Sequence, residues 1–320
     1  MKLARYHARG KVVIEDAPIP ACPPRGLLVQ VEASGLCSGE LMTWYLDRKA
    51  PHVLGHEFAG RVIESQDEKF PVGCRVAPHH HAPCGECELC RRGAFVHCPT
   101  WKPNRLDPGG MAEYVAVPPE LLVDTHRVDD LEPADAALVE PLACVVKQLR
   151  RMRHEPGQPL AVVGLGVMGI LHLLARPGAV GFDVNPARVA WSRAQGLDAR
   201  PNGTDQKFPY VAVMPGSESA VQFALEIAAP DAVIGLFAPL PPGVAPRTPW
   251  EDYYFRDVTW VNSYSCGPDD TAQAVAMLRA GGIKASQVVS DFIGLEELPA
   301  KYEQMQRGEI LKAMVLLGND

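Results

Sequence analysis

The sequence predicts an α/β protein of two domains, a β-rich half followed by a doubly wound parallel sheet. Three observations predict it. Short β-branched or apolar runs separated by Pro and Gly recur at 11–15, 26–33, 58–64 and 112–118. Strand-like and helix-like segments alternate from about residue 160 to 280. An apolar run at 160–163 leads directly into a glycine-rich turn and a helical pattern. A chain of 320 residues is long enough for two domains that each bury a core.

In chain order, strands are expected at 11–15, 26–33 and 58–64, with Pro18, Pro20, Pro23 and Pro24 crowding the first connection. Residues 78–110 read as a long loop rich in Cys, His, Gly and Pro, which needs its own source of order, such as a metal. Residues 112–118 return to strand. Helical patterns follow at 132–140 and 143–153. Strands are then expected at 160–163, 179–182, 210–214, 232–237 and 259–261, and helices at 167–176, 186–195, 217–228 and 269–280. Pro186 suits a first helical position, and Ser217 and Asp269 suit N-caps. The tail reads as helix at 295–306 and strand at 311–317. No internal repeat is present.

Charge excludes some function classes. The formal net charge is -7, and Lys and Arg are scattered, so there is no basic footprint for nucleic acid. No apolar run approaches the roughly 18 residues that a membrane-spanning helix needs. The first ten residues lack the apolar core of a signal peptide. A cytoplasmic setting is expected, where thiols stay reduced; nine cysteines would be odd as disulfides there, and five of them sit in metal-like settings.

Cys84, Cys87, Cys90 and Cys98 have the spacing C-x2-C-x2-C-x7-C. Closely spaced thiolates on tight turns supply the tetrahedron that zinc wants, and a closed set of four leaves no open position, which marks a structural site. Gly85 and Gly93 give those turns their freedom. The alternatives are free thiols, two disulfides or an iron–sulfur cluster.

Gly164, Gly166 and Gly169 form G-x-G-x-x-G between the 160–163 strand and the next helix, and Asp183 lies 19 residues after Gly164. This is the Rossmann dinucleotide fingerprint. Gly164 makes the tight turn, Gly166 lets backbone approach a pyrophosphate, and Gly169 lets helix pack on strand. Val167 and Met168 open the helix whose N-terminus favours phosphate. Asp183 suits the ribose hydroxyls and repels a 2′-phosphate, so NAD is expected over NADP, with Asn185 and Arg188 beside it. The alternative is a Gly-rich turn of any parallel α/β domain.

Cys37, His56 and Glu140 could supply one thiolate, one imidazole and one carboxylate, leaving a fourth position open as in a catalytic zinc site. Singly each is bland, and spacing does not join them. A resemblance does. Gly35 to Cys37, Gly55-His56-Glu57, the four-cysteine lobe, Gly109 to Tyr114, Ala137 to Glu140, the Gly164–Gly169 turn with Asp183, and Leu295 through Lys312 together resemble the zinc-containing medium-chain dehydrogenase/reductase family of alcohol, sorbitol and threonine dehydrogenases. The likeness spans essentially the whole chain. It implies a GroES-like β-rich catalytic domain at 1–146, completed by 284–320, and a Rossmann domain binding NAD at 147–283, with the active cleft between them. It implies a catalytic zinc at Cys37 and His56 with Glu140 as third ligand, direct or through water, and Glu57 able to enter or leave the metal shell. Glu140, where alcohol dehydrogenases carry Cys, points toward the polyol and threonine branch; Cys144 is a runner-up ligand. The implied reaction is hydride transfer between a secondary alcohol or polyol and NAD by a homodimer or homotetramer, with a catalytic and a structural zinc per chain.

The chain also departs from that pattern. Relatives carry Ser or Thr two residues after the catalytic Cys, starting a proton relay; Gly39 stands there, and Met42 stands at a usual His position. Candidate replacements are Ser38, one residue off, Glu40 or Glu57, and the triplet His79, His80 and His81. Counted back from Cys84, His80 falls where the family places a residue lining the substrate cleft, and an imidazole there could act as base or donor; the alternative for the triplet is a polar loop. Trp44, Tyr45 and Arg105 could wall the same cleft. The rival readings are a reductase or lyase-like relative acting on an aldehyde or ketone, and a non-catalytic nucleotide- and zinc-binding protein, which the missing relay motivates.

Overall fold

The computed structural model describes residues 1–103, 105–244 and 249–318. They divide into two compact units, one of residues 1–143 with 266–320 and one of residues 144–265. Residues 266–283, expected with the nucleotide domain, group with the first unit instead. The reason is chemical: Thr271 donates to Asp124, Arg279 holds Asp130 at 2.8 Å, and Lys284 holds Asp135 at 2.9 Å.

The first unit is built on a seven-stranded sheet. Its order is Asp291–Ile293, Ala313–Leu316, Leu27–Gly35, Glu57–Ser65, Arg75–Pro78 and Thr125–Arg127, with Tyr114–Val117 also paired to Leu27–Gly35. All pairings are antiparallel except that of Asp291–Ile293 with Ala313–Leu316. A smaller sheet joins Val12–Asp16, Lys2–Tyr6 and His52–Val53. The Lys2–Tyr6 strand is absent from the sequence reading because its buried residues, Leu3, Ala4 and Tyr6, do not alternate. The strand Arg75–Pro78 ends where the expected 78–110 loop begins, and residues 75–77 carry no element in the sequence reading. That loop holds one helical turn at Glu88–Arg91 and a tighter one at Phe95–His97.

The second unit is a parallel sheet of six strands in the order Ala199–Pro201, Val180–Asp183, Leu160–Val163, Phe208–Val213, Ala228–Leu236 and Thr259–Asn262. In sequence terms this is 3-2-1-4-5-6, the doubly wound Rossmann arrangement, whose switch point lies beside the first strand. Its core stacks Phe182 edge-on against Phe208 and Phe223, with centroids 5.9 and 5.6 Å apart. Helices at Val167–Ala175, Pro186–Ala194 and Glu218–Ile227 connect the strands. Ser217 caps as expected, accepting from Ala220 N. Asp269 does not cap its helix. Gly267 does, because Pro268 takes the first helical position, and the Asp270 carboxylate accepts from Gly267 N at 3.0 Å.

Candidate functional site

Register gathers the first cluster at one end of the seven-stranded sheet. Gly35 pairs with Glu57 and with Met314, so the residues just past each strand end meet. Cys37 lies two residues beyond the Leu27–Gly35 strand and caps the turn Ser38–Leu41, its Sγ accepting from Gly39 N at 3.3 Å. His56 and Glu57 open the strand opposite. One ligand atom from each of Cys37, His56 and Glu57 lies within 4.8 Å of the others. Gly35 must be glycine here: a Cβ would sit 2.7 Å from Glu57 Oε2 and 2.9 Å from Lys312 Cε.

Each donor has a partner that fixes it. Glu40 Oε1 accepts from Gly55 N at 2.8 Å and faces His56 Nδ1 at 3.4 Å, which leaves Nε2 as the imidazole's ligand atom. Tyr302, fully buried, donates to the Glu40 carbonyl at 2.8 Å. Glu57 is paired with the Lys312 ammonium, which also donates to Leu36 O at 3.1 Å; both side chains are at most 2 % exposed. Burial opposes the His56 imidazolium, but the Cys37 thiolate and the Glu40 carboxylate overcome it and hold its pKa well above the usual histidine range. Burial, with the Glu57 charge, pushes the Cys37 thiol up. A cation between these groups would favour the thiolate and neutral imidazole together. The donor set of one S, one N and one O suits zinc.

Glu140 and His80 occupy different places from each other. Glu140, half-buried, joins His79 and Cys266 in a second cluster whose ligand atoms also lie within 4.8 Å of one another, although its charge still acts on Cys37. His80 stacks at 4.7 Å from His56 and at 4.3 Å from His81, and its Nδ1 is buried without a hydrogen-bond partner. Burial, then the neighbouring histidines, lower its pKa well below the usual range, so its ring is neutral near pH 7. Ser38 is exposed. Trp44 and Tyr45 sit together, half-buried, on the turn Thr43–Leu46. Arg105 is exposed and donates to Lys102 O at 3.0 Å. Cys144 belongs to the second unit and to none of the clusters found among the described residues. Sequence reasoning gave Lys312 no role and missed Asp124, Cys266 and Tyr302. Only Lys312, inside a motif already quoted, carried a usable signal.

The cysteine lobe has the geometry of a closed tetrahedral site. Its sulfurs are 3.4 Å (Cys87–Cys90), 3.6 Å (Cys84–Cys98), 3.8 Å (Cys87–Cys98) and 3.9 Å (Cys84–Cys90) apart. A tetrahedron with Zn–S bonds of about 2.3 Å has edges of about 3.8 Å. Disulfides need sulfurs at about 2.05 Å, so the four thiols are unpaired.

In the second unit, Gly164 has φ +95°, and a Cβ on Gly169 would lie 1.9 Å from Gly164 O, while a Cβ on Gly166 would meet nothing. Turn and helix are thus in close contact, and the space beside Gly166 is open, as a pyrophosphate requires. Asp183 Oδ2 accepts from Leu165 N at 2.6 Å and Oδ1 from Asn185 N at 2.7 Å, so this carboxylate also braces the turn. Val167 is buried at the helix start, and Met168 O is bonded to His172 Nδ1 at 2.7 Å. Asn185 caps the following helix by accepting from Ala187 N, and Arg188 reaches 3.9 Å from Asp183.

The family model of the alcohol dehydrogenase GroES-like domain matches residues 23–127. The chain is 28% identical to the D-altritol 5-dehydrogenase of Agrobacterium fabrum over 319 residues, covering 93% of this chain and 94% of that one. It is 28% identical to the L-threonine 3-dehydrogenase of Sinorhizobium medicae over 329 residues, 94% of each chain. The alcohol dehydrogenase of Thermus sp. ATN1 superposes with a TM-score of 0.86 at 22% identity, over 99% of this chain and 100% of that one. Residues 23–127 thus match the GroES-like domain of alcohol dehydrogenases, and over nearly its whole length the chain is similar to dehydrogenases of the medium-chain dehydrogenase/reductase type. The hydroxyl expected two residues after Cys37 from the resemblance is absent, since Gly39 stands there, while Glu40 is engaged by His56 and Gly55, and Glu57 by Lys312. Among the described residues no helix is long and apolar enough to cross a membrane.

Proposed function

We propose that the protein is a zinc-dependent dehydrogenase that moves a hydride between a secondary alcohol of a polyol-type substrate and NAD. The observation that carries this reading is the Cys37, His56 and Glu57 cluster, braced by Glu40 and Lys312. Those three residues would hold the catalytic zinc, with Glu140 acting on it from nearby by charge, and Cys84, Cys87, Cys90 and Cys98 would hold the structural one. When bound, zinc supplies Lewis-acid polarisation of the substrate oxygen, and the nicotinamide accepts the hydride.

The chain's own residues supply the rest. Glu40 fixes the His56 ring so that Nε2 faces the substrate side. Lys312 pairs with Glu57 and fixes the position of its carboxylate in a buried setting. His80, neutral, close to His56 and with Nδ1 unbonded, accepts a hydrogen bond from the alcohol hydroxyl where the hydroxyl relay is missing. The Gly164–Gly169 turn with Val167 and Met168 receives the pyrophosphate, and Asp183, with Asn185 and Arg188, receives the adenosine ribose. Asp183 supports NAD over NADP, because its carboxylate would repel a 2′-phosphate. The polyol assignment draws on the relatives named D-altritol 5-dehydrogenase and L-threonine 3-dehydrogenase. A cytoplasmic homo-oligomer is part of the same proposal.

The test is NADH formation across polyols, amino alcohols and simple alcohols, with and without a chelator. Chelator-sensitive oxidation of a polyol supports the reading. A protein that binds NAD and both zinc ions yet turns over nothing would instead be the non-catalytic binding protein that Gly39 suggests.

A further inference from the structure

We infer that His79, Cys266 and Glu140 form a second buried site for a zinc-class divalent cation, distinct from the Cys37 cluster and from the cysteine lobe. His79 is the anchor. Its Nδ1 donates to Asp124 Oδ2 at 2.8 Å, and its Nε2 faces Cys266 Sγ at 3.5 Å. Asp124 is fully buried and is itself held by Thr271 and by His126 at 3.4 Å. A carboxylate fixed on one ring nitrogen, leaving the other as a lone pair, is the arrangement that orients metal-binding histidines.

The spacing is that of a coordination shell. With Zn–S about 2.3 Å and Zn–N about 2.05 Å, a tetrahedral N–Zn–S edge is about 3.5 Å, the separation found here. Glu140 brings a carboxylate oxygen within 4.8 Å of both other ligand atoms. Cys266 Sγ also lies 3.9 Å from the Glu140 carbonyl, so the two residues are neighbours through backbone as well as side chain. A cavity of ≈ 10 Å³, lined by His79, Asp124, Glu140 and Thr271, adjoins the cluster. That is room for about one water-sized ligand in a fourth position.

A Cys–His–Asp arrangement also occurs in nucleophilic catalysis. Burial argues against that use here: Cys266 is 0% exposed and His79 2%, so an ion fits and an organic substrate does not. The three ligands come from the end of the Arg75–Pro78 strand, the start of the Val139–Arg151 helix, and the segment before the Pro268–Arg279 helix. A cation there would clip these three pieces of the first unit together.

Zinc bound per chain, measured by mass spectrometry after gel filtration of zinc-loaded protein, provides the test. Cys266→Ala should bind one equivalent less than the parent, and Cys37→Ala should independently lose a different one, so the double variant loses two. The cobalt-substituted parent should show thiolate-to-cobalt charge transfer that falls in Cys266→Ala. Should that variant fail to fold, anomalous scattering from a crystal of the zinc-loaded parent decides the matter, with a peak expected about 2.3 Å from Cys266 Sγ. An unchanged zinc count in folded Cys266→Ala, or no peak beside Cys266, overturns the inference whatever happens at Cys37.

Discussion

Lys312→Met is the sharpest perturbation of the proposed catalytic centre. Lys312 and Glu57 are 1 % and 2 % exposed, so solvent hardly screens their pair. Removing the ammonium leaves a buried carboxylate beside Leu36 O without its hydrogen-bonded cation, and breaking a buried pair from one side costs about 3–5 kcal/mol. For a domain of this size each kcal/mol lowers Tm by about 2–4 °C, so metal-free protein should melt about 6–20 °C lower. The assay is thermal melting of chelator-treated parent, Lys312→Met, Glu57→Gln and the double variant. The double variant should recover most of the loss, because it no longer buries a lone charge. Adding zinc to Lys312→Met should recover part of it, because a cation at Cys37 and His56 would take over the carboxylate. A chelated Lys312→Met protein melting within about 3 °C of the parent would refute the reasoning, as would a double variant no more stable than the single.

Further outcomes follow from other positions. Burial lowers the His172 pKa to about 4, although its bond to Met168 O opposes this. The native ring is therefore neutral where the unfolded one, near 6.5, takes a proton: its stabilisation is full above about pH 6.5 and falls toward pH 4, by about 2 kcal/mol at pH 5. His172→Gln should remove that part of the slope, read as a smaller shift of the urea midpoint between pH 7.5 and 5; an identical shift in parent and variant would contradict it. Gly39→Ser adds a hydroxyl where a Cβ would lie 3.4 Å from Cys37 Sγ, in ordinary contact. It should raise kcat near neutral pH severalfold and make it less dependent on His80; an unchanged kcat means the proton leaves by a route that a hydroxyl at 39 cannot join. Gly169→Ala forces a methyl to 1.9 Å from Gly164 O. NAD affinity by calorimetry should fall at least tenfold, and equal affinity would show that the turn does not hold the pyrophosphate.

Much of the fold was legible because its signals are local. The strand at Leu160–Val163, its glycine turn and the helices of the second unit follow from periodicity and capping within a few residues. The lobe was legible for the same reason, as four cysteines within fifteen residues. The candidate site was legible only in part, since its pairings are made by register rather than by neighbours. Glu57 meets Lys312 across 255 residues, Glu40 meets Tyr302 across 262, and His79 meets Cys266 across 187. Nothing in the sequence around Cys266 tells it apart from any small buried residue. Glu140 shows the same limit: its motif marks it as functional, but which cluster it joins depends on where the Arg75–Pro78 strand ends, and that short strand carries no local signal in the sequence.

The split of the first unit has a consequence for biosynthesis. Residues 144–265 emerge from the ribosome as one contiguous piece, with all six strands of their sheet, and can fold at once. The earlier 143 residues cannot finish. Their sheet lacks the strand Ala313–Leu316, Glu57 lacks its lysine, Glu40 lacks Tyr302, and Asp124 lacks Thr271 until residues 271–316 are made. Ala33–Gly35, the stretch that pairs with Ala313–Leu316, thus lacks its partner throughout synthesis of the inserted unit, an unpaired edge open to aggregation in that interval.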